Sequence, residues 1–195
     1  MTLKLNGSSS GSVSIDAPAS TTIPSGGADV TLTLPQSGFN IPEYDAWVIT
    51  SDFTTDGSSP DFMTSNWARQ DLGNSLFGKI GTGMTESSGV FTFPSTGYWQ
   101  VNAEWSMNSN GVTDTNVLGS IYATHDNSTY TMVARASLSI SGTLAYNMTS
   151  QVMLDVTNTS NVKVKLASDS SSGVLFEGQN GAMRTGIIFK KLGET

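Results

Sequence analysis

The chain has 195 residues, of which 37% are hydrophobic and only 13% charged, and its formal net charge is -7. This length suffices for one β-sandwich of ordinary size. The acidic balance disfavours nucleic-acid binding, because a negatively charged surface repels phosphate backbones. The absence of cysteine excludes disulfides and thiolate metal sites. No apolar run approaches the roughly 20 residues that a membrane helix needs, and we therefore expect no membrane partner.

The opening of the chain does not resemble a secretory leader. Met1–Asn6 leads directly into a Gly/Ser run, without the apolar core that a signal peptide requires. We therefore expect the protein to be made in a cytoplasm.

Residues 1–42 differ in pattern from the rest of the chain. Three short stretches alternate there with period two, and each is too short to bury a face alone. Two interpretations are open: a flexible linker, or an attachment arm whose strands pair with another chain. We favour the arm. Its apolar positions in the first two stretches, the candidate attachment residues, are Leu3, Leu5, Val13 and Ile15, and the third stretch contains Val30, Leu32 and Leu34.

Strong alternation follows from Tyr44 onward. In residues 98–107 one face is apolar and the other polar, which is typical of a half-buried strand. Similar runs occupy Tyr130–Ile140 and Val162–Leu166, whereas no segment shows a helical period. Less regular strand candidates are 44–50, 75–80, 90–93, 117–124, 144–156, 174–177 and 183–191. About nine or ten short strands separated by turn residues predict an all-β antiparallel jelly-roll sandwich over residues 43–195.

Residues Val90–Trp99 resemble the C1q/tumour-necrosis-factor-like jelly roll. Phe91 and Gly97 match the spacing of that family, and Trp99 occupies the place of its first strand aromatic. Val101 and Ala103 depart from the pattern, since they stand where further aromatics are usual. The similarity covers roughly residues 75–192.

The end of the chain is similar to the same family. Asn161–Leu166 resembles its penultimate strand, and Thr185–Phe189 resembles its closing strand. The resemblance implies a ten-stranded jelly roll packed as a homotrimer, with the closing strand near the threefold axis. The residues expected in the core or between subunits are Trp99, Val101, Trp105, Ile187 and Phe189.

Two segments of the arm resemble a module near the start of structural proteins from marine tailed phages. They are Leu5–Pro18 and Val30–Pro35. The resemblance implies a bacteriophage virion protein of the capsid-decoration, protrusion or short-fibre type, with capsid or tail proteins as further partners. The alternative is a fibre tip that binds a host receptor or a surface carbohydrate.

Candidate catalytic and metal groups are sparse. The single histidine, His125, falls in a predicted loop, and Glu104 on the polar face of its strand is one isolated candidate acid, so a hydrolase is the least favoured function. Asp52–Gly57 copies the first part of a calcium loop, but Met63 stands where the bidentate Glu belongs. We expect an Asp-rich turn there, no cofactor and no metal. Trp67 lies outside any clear alternation and is a candidate for contact with solvent or a partner.

Overall fold

The structure, a computed structural model, describes residues 3–6, 12–15, 41–70 and 78–195. Contacts divide the chain into two compact units, residues 1–38 and 39–195. Every regular element in the described ranges is a β-strand, which confirms the all-β prediction. Within those ranges no helix is long and apolar enough to cross a membrane.

In the first unit, β1 (Leu3–Asn6) and β2 (Ser12–Ile15) pair antiparallel. Leu3 lies opposite Ile15, and Leu5 lies opposite Val13. The four candidate attachment residues are therefore register partners within one hairpin. Their role in attachment stays a prediction, and Val30–Leu34 lies outside the described residues.

The second unit contains two antiparallel sheets. Its strands are β3 (Tyr44–Ile49), β4 (Phe53–Thr54), β5 (Asp61–Phe62), β6 (Trp67–Arg69), β7 (Thr85–Ser87), β8 (Val90–Thr92), β9 (Gly97–Asn108), β10 (Asp114–Thr124), β11 (Thr131–Ile140), β12 (Ala145–Val156), β13 (Lys163–Asp169), β14 (Leu175–Phe176) and β15 (Gly186–Gly193). The first sheet runs β12–β9–β15–β3–β6, and β14 with β4 extends it at the end of β9. The second sheet runs β11–β10–β13–β8–β7, and β5 also pairs with β13.

The longer predicted strands are present, and the differences concern short ones. The alternating run predicted at 98–107 is β9, and those predicted from 130 and 162 are β11 and β13. Strands β4, β5, β6 and β7 were not predicted, because two or three residues are too few to show a period. In the candidate at 75–80, residues 75–77 lie outside the described ranges, and Ile80 forms a single bridge with Tyr44.

The core lies between the sheets and is rich in aromatic rings. Phe189 on β15 packs at 5.3 Å from Phe91 and 5.8 Å from Phe93, centroid to centroid. Phe93 also contacts Trp99 at 5.2 Å. Alternation along β9 thus places every second side chain among rings from both sheets, where burial of large apolar surfaces stabilises the fold most.

A buried ion pair joins three segments at one margin of the first sheet. Asp45 on β3 is 1% exposed and accepts hydrogen bonds from Arg69 Nε at 2.8 Å and Nη2 at 3.1 Å. Its Oδ2 also accepts from the Met84 amide at 2.7 Å and from Trp47 Nε1 at 3.0 Å. With four donors around it, the carboxylate holds β3, β6 and the segment before β7 together.

Candidate functional site

The five residues predicted for the core or for subunit contacts all point into the subunit's own core. Trp99, Val101, Trp105, Ile187 and Phe189 are each at most 1% exposed and belong to one apolar cluster. They are therefore covered within a single chain. A surface offered to a second subunit must therefore come from side chains other than these five.

The outer face of the first sheet is mostly polar at its centre. Tyr44, Gln100, Asn102, Ile188 and Lys190 line a shallow groove of about 200 Å³. Asn102 Oδ1 is buried there, and no donor within the described part of the chain reaches it. An unsatisfied buried acceptor costs about 1–3 kcal/mol, so a donor from another molecule would stabilise this face.

One end of the same face is apolar. Tyr98, Met153 and Leu192, which we call the apolar patch, are 41%, 63% and 51% exposed. Met153 and Leu192 line a groove of about 340 Å³ together with Gln100. Three large exposed apolar side chains on one sheet face are typical of a protein contact surface rather than of free solvent exposure.

A second uncovered surface lies where the two sheets end side by side. Strands β11 and β12 are the outer strands of their sheets and lie next to each other. Most of their inward side chains are only half-buried, unlike those of β9 and β13, although Ile140, Ser150 and Val156 are buried. Val133 beside them is 38% exposed. We call this the open edge. Its half-buried apolar members are Met132, Ala134, Leu138, Met148, Val152 and Leu154.

The outer face of the second sheet carries a basic groove of about 530 Å³. Lys163 and Lys165 point into it, because they alternate on β13 with the buried Val164 and Leu166. Tyr130, Thr92, Glu86 and Ser128 are among the other lining residues. In the sequence the two lysines alternate with apolar residues, but only the fold brings Tyr130 beside them.

The turn after β10 is organised by one carboxylate. Asp126 Oδ1 accepts hydrogen bonds from the amides of Thr129 at 2.8 Å and Ser128 at 2.9 Å, and from Thr124 Oγ1 at 2.8 Å. These bonds, that of the Thr129 amide most of all, hold the pKa of Asp126 well below its usual range. The carboxylate therefore fixes the loop that borders the basic groove.

We expect this turn to keep its structure in mild acid. The pKa of Asp126 is lower in the folded chain than in the unfolded chain. The ionised carboxylate therefore stabilises the fold fully above the unfolded pKa of about 3.9, and this stabilisation is lost as pH falls through the lower folded pKa. An NMR titration should show the Asp126 carboxyl still ionised near pH 3, which is about one unit below the unfolded pKa. The Thr129 amide signal should not shift at that pH. A midpoint at the ordinary aspartate value would contradict this assignment.

The candidate catalytic residues do not assemble into a site with other reactive groups. His125 is exposed in the turn between β10 and β11. Burial raises the pKa of Glu104 on the outer face of β9, and no side-chain hydrogen bond or ion pair within the described ranges reaches it. Among the described residues, no three His, Cys, Asp or Glu side chains come together as a metal site.

Two further sequence candidates have structural partners. Asp52 Oδ1 accepts a hydrogen bond from the Gly178 amide at 2.8 Å, and Asp56 Oδ1 accepts one from the Ser58 amide at 2.7 Å. Trp67 packs edge-on against Phe91 at 5.1 Å, and its Nε1 donates to a backbone carbonyl at 2.7 Å. Trp67 is thus half-buried at the margin of the core, and its ring packs within the subunit.

The sequence matches no protein-family model and no curated protein. The structure is similar to solved ones. Murine APRIL at pH 8.5 has a TM-score of 0.53 and 11% identity, and the similarity covers 77% of this chain and 98% of that one. For murine APRIL at pH 5.0 the TM-score is 0.53, with 10% identity and coverage of 77% and 98%. Eiger TNF from S. frugiperda has a TM-score of 0.50 and 12% identity, with coverage of 78% and 93%.

At these identities the similarity shows the fold alone. The chain has a jelly roll of the tumour-necrosis-factor-like and C1q-like type, as the resemblance at Val90–Trp99 and at the closing strand had implied.

Proposed function

We propose that this chain is a non-enzymatic structural protein of a tailed-phage virion and that it works as a homotrimer. In this proposal it is made in the host cytoplasm and becomes a capsid decoration, a protrusion or a short-fibre component. Residues 1–42 attach it to other capsid or tail proteins. The phage-like segments of the arm, the tumour-necrosis-factor-like fold and the homotrimer implied by that resemblance all support it.

The observation that carries the proposal is the pair of unlike surfaces that one chain leaves uncovered. The apolar patch lies on the outer face of the first sheet, and the open edge lies between β11 and β12. Contact between two unlike surfaces is heterologous, and it closes into a ring when the rotation between neighbours divides a full turn. A threefold ring would cover Met153 and Leu154 alike and would give Asn102 Oδ1 access to donors from a neighbour.

The attachment step would use the hairpin of β1 and β2. Each strand of a two-stranded hairpin has an outward edge of amide and carbonyl groups, and this edge can pair with the edge of a sheet in another protein. Backbone hydrogen bonds then supply the affinity, and alternate side chains supply the specificity.

We expect the full chain to have three times the mass of one chain in native mass spectrometry and light scattering. A Met153→Glu variant should be monomeric, because it places a charge in an interface that must exclude water. Thr85→Glu adds the same charge to an exposed position of β7, which lies at the end of the second sheet away from the open edge, and should leave the trimer intact. A wild-type monomer at every concentration tested, or a trimer unaffected by Met153→Glu, would contradict the assembly.

Location on a particle needs a separate measurement. Electron microscopy of purified virions with a gold-labelled antibody to this chain should mark capsid or tail at repeating positions. Particles without label would contradict the proposed location on the virion. The result on the oligomeric state would still stand.

A second candidate function is a tip that binds a host receptor or a surface carbohydrate. The basic groove favours it, because its lining combines two ammonium groups with hydroxyl and amide side chains. A glycan array with the full chain separates this candidate from a purely structural role.

A further inference from the structure

The basic groove concentrates positive charge on an acidic protein. It contains two of the nine Lys and Arg residues of a chain whose net charge is -7. Within the described part of the chain, neither Lys163 nor Lys165 takes part in an ion pair. Their ammonium groups therefore keep hydrogen-bond donors for a ligand, which is unusual where carboxylates outnumber cations.

Lys165 is held in place by aromatic rings. Its Nζ lies 4.2 Å from the centroid of the Tyr130 ring and 5.1 Å from that of Phe62. Tyr122 packs edge-on against Phe62 at 5.2 Å and supports that ring. Attraction between the ammonium and the ring faces fixes a flexible side chain before any ligand arrives, so less conformational entropy is lost on binding.

The charge of the groove matches a ligand with one negative charge. Glu86 also lines it, and its Oε1 accepts a hydrogen bond from the Gly89 amide at 2.7 Å. Two lysines and one glutamate leave a net charge of one positive unit. A dianionic group such as a phosphate monoester would exceed this charge, and there is no arginine fork in the lining to bind it bidentately.

The neutral part of the lining matches a ligand rich in hydroxyl groups. Thr92 lies opposite Lys163 in the strand register, and Ser128 lines the groove from the neighbouring turn. Hydroxyl side chains both donate and accept, as sugar hydroxyls do. The Asp126 carboxylate orders the turn that carries Ser128, so this side of the groove is preformed.

We propose that the basic groove binds an acidic carbohydrate that carries one carboxylate per acidic sugar residue. Lys163 and Lys165 would bind the carboxylate, and Thr92 and Ser128 would bind sugar hydroxyls. The inference rests on the second candidate function, the carbohydrate-binding tip, and supplies its ligand class. It is compatible with the trimer, because the lining of the groove includes no residue of the apolar patch and none of strands β11 and β12, which form the open edge.

The test is calorimetric titration of the full chain with two probes that carry a single carboxylate each, an aldobiouronate (one uronic acid linked to one neutral sugar) and sialyllactose. They share the sugar carboxylate and differ in its source, so the stronger binder identifies the kind of acidic sugar. Affinity for that probe should fall about tenfold in Lys163→Gln, because a charge-assisted contact is lost. Lys190→Gln removes the same charge from the outer face of the first sheet and should leave affinity unchanged.

The neutral counterpart of each probe, its methyl ester, should bind too weakly to measure. Failure of both acidic probes at millimolar concentration would overturn the proposal, and so would equal binding of acid and ester or equal loss in the two lysine variants. Mass measurement on the same samples keeps the outcomes apart. A trimer that binds neither probe refutes the groove alone, whereas a monomer that binds refutes the trimer alone.

Discussion

A Gly119→Val variant is expected to lose a large part of the folding stability of the jelly roll. Gly119 on β10 lies where the second sheet approaches the indole of Trp105, and a Cβ atom there would lie 2.5 Å from Cδ2 and 2.6 Å from Cε2. The ring has little room to retreat, since its Nε1 donates to Ser150 Oγ at 3.1 Å and it packs against Phe176 at 5.8 Å. Overpacking of a closed core costs about 1–3 kcal/mol, and a β-branched side chain lies at the upper end.

Chemical denaturation of four variants tests this cause. Gly119→Val should shift the midpoint strongly, whereas Gly193→Val should not, because nothing lies within 4 Å of a Cβ atom at Gly193. Gly119→Val should cost less in a Trp105→Leu background, measured against Trp105→Leu alone, than in the wild type, since the smaller side chain vacates the space. Coupling between touching residues is about 0.5–3 kcal/mol, so strictly additive effects would show that the clash is not the cause.

An Arg69→Met variant is expected to be destabilised by about 3 kcal/mol, the lower end of the range for breaking a buried pair from one side. Asp45 is 1% exposed, and losing Arg69 leaves its carboxylate with the Met84 amide and the Trp47 indole as donors but without a countercharge. The value lies at the lower end because the Arg69 side chain is 32% exposed and solvent already screens it.

The matched control is Arg184→Met. Arg184 pairs with Glu177 at 2.7 Å, but the two side chains are 45% and 22% exposed, so its loss should cost about 0–1 kcal/mol. The double variant Arg69→Met with Asp45→Asn should recover stability relative to Arg69→Met alone, because the unpaired charge is gone. Equal midpoints for the Arg69 and Arg184 variants would contradict a buried ion pair that stabilises this margin.

The alternation of β9 shows how much of the fold was predictable. Trp99, Val101 and Trp105 were assigned to one face from period two alone, and all three lie in the core. The resemblance at Phe91 and Gly97 also implied the right type of jelly roll, as the similarity to APRIL and Eiger structures shows. Alternation is a local property, because successive side chains of any strand point to opposite faces.

The contacts of Trp67 and the short strands could not be predicted from the local sequence pattern. Nothing near Trp67 in the chain predicted that its ring would pack on Phe91 at 5.1 Å, since that contact needs strands from different parts of the sequence. Strands of two or three residues, such as β4 and β5, form because a neighbouring strand supplies the register. Periodicity cannot reveal an element that its own residues do not specify.

The surface features of the protein likewise fall into those that were predictable from the sequence and those that were not. Side-chain alternation within single strands was enough to predict the β-class, the inner face of β9 and the solvent face of the strand that carries Lys163 and Lys165. The contacts of Lys165 with Tyr130 and Phe62, and the ion pair of Asp45 with Arg69, could be found only in the folded chain. Those contacts depend on the register between strands far apart in the chain, and the register is set by the packing of the whole sandwich.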